Sequence, residues 1–182
     1  MTQTAQSLLC RRATISPLPK EGPMLNLKPS LLALLATAPL LAQSTEPTVH
    51  TTADLQQREA KITEAAKASP TGFAMGKLDD YGNDYTLLVV RIHTGDAERH
   101  QSWADQIVVT KGTITLVSGG TMQAEHPNPA ATQPGETLGS GIEGGKEVTL
   151  HAGEIAHIPA GVPHWVKVAP GTTTTYFVFK EK

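Results

Sequence analysis

Hydrophobic and polar positions divide the chain into stretches of different grain. Residues 31–41 (LLALLATAPLL) are apolar or small almost throughout. Residues 52–69 (TADLQQREAKITEAAKAS) are polar, with a thin stripe at Leu55, Ile62, Ala65 and Ala66. That spacing follows one helix face. Thr51 or Thr52 supplies a cap, and Pro70 and Gly72 supply a stop, so a short helix is predicted here. So narrow a stripe packs against another element and does not make a core alone.

The pattern then turns to strands. Residues 85–92 (YTLLVVRI) form a β-rich run long enough to be buried on both faces. Further runs at 107–110, 113–117, 147–151, 154–158, 164–168 and 173–180 are separated by Gly or Pro signals. Lys111-Gly112 reads as a tight hairpin. Near the end, Tyr176 and Val178 fall on one face, and Thr175, Phe177 and Phe179 on the other. Short strands with regular turn punctuation predict an all-β sandwich or barrel. The usage of 23 Thr against eight aromatics agrees. Residues 126–146, rich in Pro, Gly, Ser and Thr, exceed an ordinary loop and are expected to be a flap or a mobile insertion.

The apolar run at 31–41 is too short to span a bilayer, which takes about 20 residues of helix. Lys28 precedes it and a small residue, Ala42, follows, which is the pattern of a secretory signal peptide. The expected division is an upstream extension at 1–23 ahead of a true start at Met24, a signal at 24–42 and cleavage near Ala42-Gln43. A linker and helix at 43–72 and a barrel at 73–182 follow. The product is expected to be exported, periplasmic or secreted, with no stable membrane span. Cys10, the only cysteine, precedes the signal, so no disulfide framework is expected in the product. Residues 43–182 hold eleven basic and sixteen acidic groups, a formal charge of −5. Such a balance excludes a dedicated nucleic-acid binder.

Two stretches carry candidate chemistry: 95–112 (GDAERHQSWADQIVVTKG) and 153–168 (GEIAHIPAGVPHWVKV). On a strand His100 and Ser102 share a face, and an irregularity would bring Asp105 round to join them. Gly161 and Pro163 turn the chain just before His164, which can then face inward. Two imidazoles and a carboxylate converging in a barrel make a donor set suited to Fe, Mn, Ni, Cu or Zn. His157 shares a face with Ile155 and is expected to point inward with it as a fourth donor. His50, His93, His126 and His151 lie at linker, strand-end or loop positions and receive no role. Ser102, His164 and Asp105 could also suggest a hydrolytic triad, but no nucleophile elbow accompanies them.

These stretches resemble the two motifs of the cupin superfamily. The second follows G-x5-P-x-G-x2-H through Gly153, Pro159, Gly161 and His164, with Val168 where the family has Asn. In the first, Gly95, His100, Asp105 and Gly112 take motif positions, Asp105 stands in place of Glu, and Ser102 takes the place of the usual second histidine. The resemblance runs from about Phe73 to the C-terminus. It implies a double-stranded β-helix, or jelly-roll barrel, with its pocket inside. A divalent transition metal on His100, Asp105, His164 and His157 would serve a small-molecule ligand or substrate. Pairing of barrels into a homodimer also follows from the resemblance. It implies no single reaction: dioxygenases, isomerases and lyases share the fold with non-catalytic binding modules that have lost metal.

Overall fold

The structure is a computed structural model that describes residues 46–182. The extension at 1–23, the signal at 24–42 and the cleavage site near Ala42-Gln43 lie outside the described residues.

The chain enters through helix α1 (Thr52–Ala68). Thr51 caps it, its hydroxyl accepting from the Asp54 amide at 3.2 Å. Ala66 is fully buried, whereas Ala65 of the predicted stripe is exposed. Thirteen strands follow: β1 (Phe73–Asp80), β2 (Asp84–Arg91), β3 (Ala97–His100), β4 (Ala104–Lys111), β5 (Thr113–Ser118), β6 (Thr121–Gln123) and β7 (His126–Pro127). Then come β8 (Glu136–Gly139), β9 (Gly141–Glu143), β10 (Lys146–His151), β11 (Ile155–Ile158), β12 (His164–Lys167) and β13 (Thr174–Glu181).

One sheet has the order β1-β2-β13-β4-β11, and the other β10-β5-β12-β3-β8-β7; β6 and β9 form a separate ribbon. All the pairings are antiparallel, and the chain repeatedly crosses between sheets, as in a jelly-roll barrel. The predicted all-β barrel with a short N-terminal helix is therefore what forms. Its core gathers Leu87, Val89, Ile107, Val109, Ile114, Leu116, Val166, Tyr176 and Val178 from the facing sides of both sheets. Helix α1 covers part of the outer face instead. Glu59 accepts from the Thr175 hydroxyl at 2.9 Å and pairs with Lys111 at 2.6 Å.

Two expectations are corrected here. Lys111-Gly112 is not a hairpin: β4 and β5 belong to different sheets, so the chain turns a corner of the barrel. Gly112 has φ +78°, and a Cβ there would lie 2.7 Å from the Thr173 carbonyl oxygen, so glycine is what lets the corner close. The 126–146 segment is not a loose insertion either. It supplies β7, β8 and β9, and β8 pairs with β3 along its whole length, from Ala97↔Gly139 to His100↔Glu136.

Candidate metal centre

The short strand β3 brings Glu98 and His100 to the inside of one sheet, two residues apart and therefore on one face. His164, the first residue of β12, sits directly opposite Glu98 in the ladder. A backbone bond of 2.8 Å from the Gly161 amide to the His100 carbonyl ties the two motif stretches together just before His164. On the facing sheet, Tyr85, Lys180, Asp105 and Ile158 form one inward row across β2, β13, β4 and β11.

Glu98, His100 and His164 each offer a donor atom, and the three atoms lie within 4.8 Å of one another. The His100 and His164 rings are 5.3 Å apart between centroids. Both ring nitrogens of His100 are buried without a hydrogen-bond partner. Its nearest polar neighbours, Glu98 Oε2 and Asp105 Oδ2, stand 3.5 and 3.6 Å from Nε2, beyond hydrogen-bond distance, which leaves room for a ligand to complete it. His164 is oriented differently. Its Nδ1 lies 3.3 Å from the Val162 carbonyl; protonated there, it donates to that oxygen and leaves the Nε2 lone pair facing the centre.

Asp105, 4% exposed, stands beside both rings, its Oδ2 3.4 Å from His164 Nε2 and 3.6 Å from His100 Nε2. It is not alone there. The Lys180 ammonium lies 2.6 Å from one of its oxygens and 2.7 Å from the other, and is itself only 6% exposed. Burial pushes the Asp105 carboxyl upward, but His164, Lys180 and His100 outweigh it and hold the group at about 2. Glu98 behaves alike: burial raises it, and His100, His164 and Arg91 bring it down to about 2.

Arg91 closes the other side. Its guanidinium lies 3.6 Å from Glu98, donates to the Tyr176 hydroxyl at 3.2 Å and stacks 4.7 Å from the Phe73 ring centre. Gly95 is explained by this residue, since a Cβ there would collide with the guanidinium. The Gly95 carbonyl also accepts from Trp165 Nε1 at 2.6 Å. Trp103 packs into the core against Tyr85, with ring centres 5.1 Å apart. Glu136, brought in by β8, reaches to 3.8 Å from His100 Nδ1.

The structure thus brings together His100, His164 and Asp105, and it places His157 elsewhere. The expectation of an inward His157 is corrected: Ile155 and His157 both face out, Ile155 being 57% exposed, while Ala156 and Ile158 face the barrel. The ladder decides it, since Ile158 pairs with the inward Asp105 and His157 with the outward Gln106. Ser102 falls in an exposed turn after β3 ends, not on the face of His100. Glu98 was missed. Shifting the first motif back two residues makes Glu98-x-His100 the histidine pair, with Glu98 in the first place, four residues from His100 to Asp105 and six from there to Gly112.

A double-stranded β-helix, or jelly-roll barrel, with its two motif stretches meeting inside, is the fold that this strand order defines. Among solved structures, the chain is similar to a recombinant oxalate oxidase in complex with glycolate, at 18% identity, TM-score 0.44, covering 63% of this chain and 53% of that one. It is also similar to the Cnp3 cupin domain of Schizosaccharomyces pombe, at 7% identity, TM-score 0.43, covering 60% and 61%. A third is a cupin 2 conserved barrel domain protein from Salinispora arenicola, at 14% identity, TM-score 0.41, covering 64% and 83%. The chain spans about half the length of the oxalate oxidase chain it matches. No family model matches the chain, and no curated protein matches it.

The residues present fit a divalent ion. Two imidazoles and a carboxylate suit Fe, Mn, Ni, Cu or Zn, and both His100 nitrogens are buried without a hydrogen-bond partner.

Proposed function

We propose that this protein is an exported metal-binding barrel that takes up a small organic molecule beside a divalent transition metal held by Glu98, His100 and His164. One observation carries the reading: three donor atoms within 4.8 Å, one of them on an imidazole whose buried nitrogens are otherwise unsatisfied. When bound, the ion supplies Lewis-acid or redox chemistry to a ligand oxygen. The chain's own residues do the rest. The Val162 carbonyl, 3.3 Å from His164 Nδ1, orients that ring, and His100, His164 and Arg91 together hold Glu98 in its ionised form. Export rests on the signal-like residues 24–42, and among the described residues no helix is long and apolar enough to cross a membrane.

A second reading, a non-catalytic ligand-binding or structural barrel, is favoured by one feature. The Lys180–Asp105 pair neutralises the interior carboxylate without any metal.

Elemental analysis of residues 43–182, prepared without tag or chelator, decides between the two. The expected result is near-stoichiometric metal that disappears in His164→Ala while the fold persists by circular dichroism. Absence of metal, with none taken up on dialysis against each ion, would overturn the metal reading and leave the binding module.

A further inference from the structure

We propose that Lys180 sets the number of protein donors at this centre by holding Asp105 out of it. The inference deepens the metal reading above and rests on it. Asp105 is placed where a fourth donor would stand, 3.4 and 3.6 Å from the two imidazole Nε2 atoms. Facing only those rings, its carboxylate would turn to any cation bound between them. Both of its oxygens instead face the Lys180 ammonium at 2.6 and 2.7 Å, with a buried group on either side of the pair.

The placement of Lys180 is unusual for its strand. On β13 the inward positions before it are Tyr176 and Val178, both buried in the core, and an apolar side chain would continue that face. A lysine there is costly to desolvate and also repels any cation next to it. Its one contact of consequence is Asp105. The ammonium therefore acts as a resident cation: it satisfies Asp105 when no metal is present and competes with the metal for that carboxylate when one is. Three protein donors remain. A transition metal so held keeps coordination positions for a ligand, whereas a fourth protein donor would close one of them.

The test is a metal-binding titration with Co2+ and Zn2+, followed by calorimetry and by the visible spectrum of the cobalt form, on the full mature chain. Lys180→Met is expected to bind about 10- to 100-fold tighter as Asp105 joins the donor set, with a changed cobalt spectrum. The double variant Lys180→Met/Asp105→Asn, which removes both buried charges and so leaves neither unpaired, is expected to return to wild-type affinity and spectrum. His164→Ala is the control and is expected to lose binding.

Lys180→Met binding no tighter, with an unchanged spectrum, would overturn the proposal while leaving the metal site standing. A double variant at least tenfold weaker than wild type would also overturn it, because Asp105 would then be a donor already; this arm holds even where the single variant fails to fold. No binding by the wild-type chain would overturn the metal reading itself.

Discussion

Glu98 is the residue on which the assignment of the centre turns, and Glu98→Gln tests it with little change of shape. The glutamine keeps the length and one carbonyl oxygen but loses the charge that would face the ion. In the folded protein the side chain is 34% exposed, so its contacts with His100 at 3.5 Å and Arg91 at 3.6 Å are screened by solvent and their loss costs about 1 kcal/mol of stability. The variant should therefore fold and melt within a few degrees of the wild type. Metal affinity should respond far more. A charge-assisted contact contributes about 1.5–3 kcal/mol, so affinity should fall about 10- to 100-fold. Calorimetric titration with Zn2+, run beside Ser102→Ala, measures the difference. Ser102 lies in an exposed turn, and its variant should bind like the wild type. Equal affinity in Glu98→Gln and a loss in Ser102→Ala would refute the placement of Glu98 in the histidine-pair position.

His157→Ala should leave both metal content and stability unchanged, within about 0.5 kcal/mol by urea melting, because the ring faces outward with Ile155. A measurable loss of metal would return His157 to the site. Acid should weaken the metal-free protein through Asp105, whose folded value of about 2 lies below its ordinary 3.8. A depressed carboxyl contributes stability that is fully present above the ordinary value and is lost as pH falls toward the folded one. The share owed to Asp105, about 2 kcal/mol, should therefore disappear between about pH 4.5 and pH 2, beside a further loss through Glu98 in the same range, read by urea melts. A wild-type profile no steeper there than that of Lys180→Met/Asp105→Asn would contradict the account.

Much of the barrel was legible because local chemistry and global fold agree. Tyr176 and Val178 alternate with Phe177 and Phe179 in the sequence, and β13 buries the first pair in the core. Thr51 or Thr52 reads as the helix cap, and Thr51 is the one that serves. Elsewhere the same local signal served two structures. A lysine-glycine turn suits a hairpin and a barrel corner alike, and only the sheet to which each strand pairs separates them. In IAHI either alternate pair could face the core, and the pairing of Ile158 with Asp105 chose against Ile155 and His157. Glu98 is hard to see in the sequence because a glutamate stands where the motif has its first histidine, and only the end of the strand at His100 rules Ser102 out as the second. By period two Lys180 falls on the face of Tyr176 and Val178, but its charge argues against burial there. Near a chain end a lysine reads as solvated, and its burial depends on a partner 75 residues away. The two motif stretches thus carry Glu98, His100, Asp105 and His164, while Lys180 comes from β13, which no motif marks.

The pairing of β3 has a kinetic consequence. This four-residue strand meets β12 at one ladder position, His164↔Glu98, but meets β8 at all four. Together with β7, these short strands are stitched to one another more densely than to the barrel, apart from the bond from Gly161. Such a group is expected to exchange its amide hydrogens as one cooperative unit, with an opening free energy below that of the whole fold, and exchange rates along β3 and β8 would check it. Each opening would carry Glu98 and His100 away from His164, so the residence time of a ligand held between them would be limited by the lifetime of the β3–β12 contact.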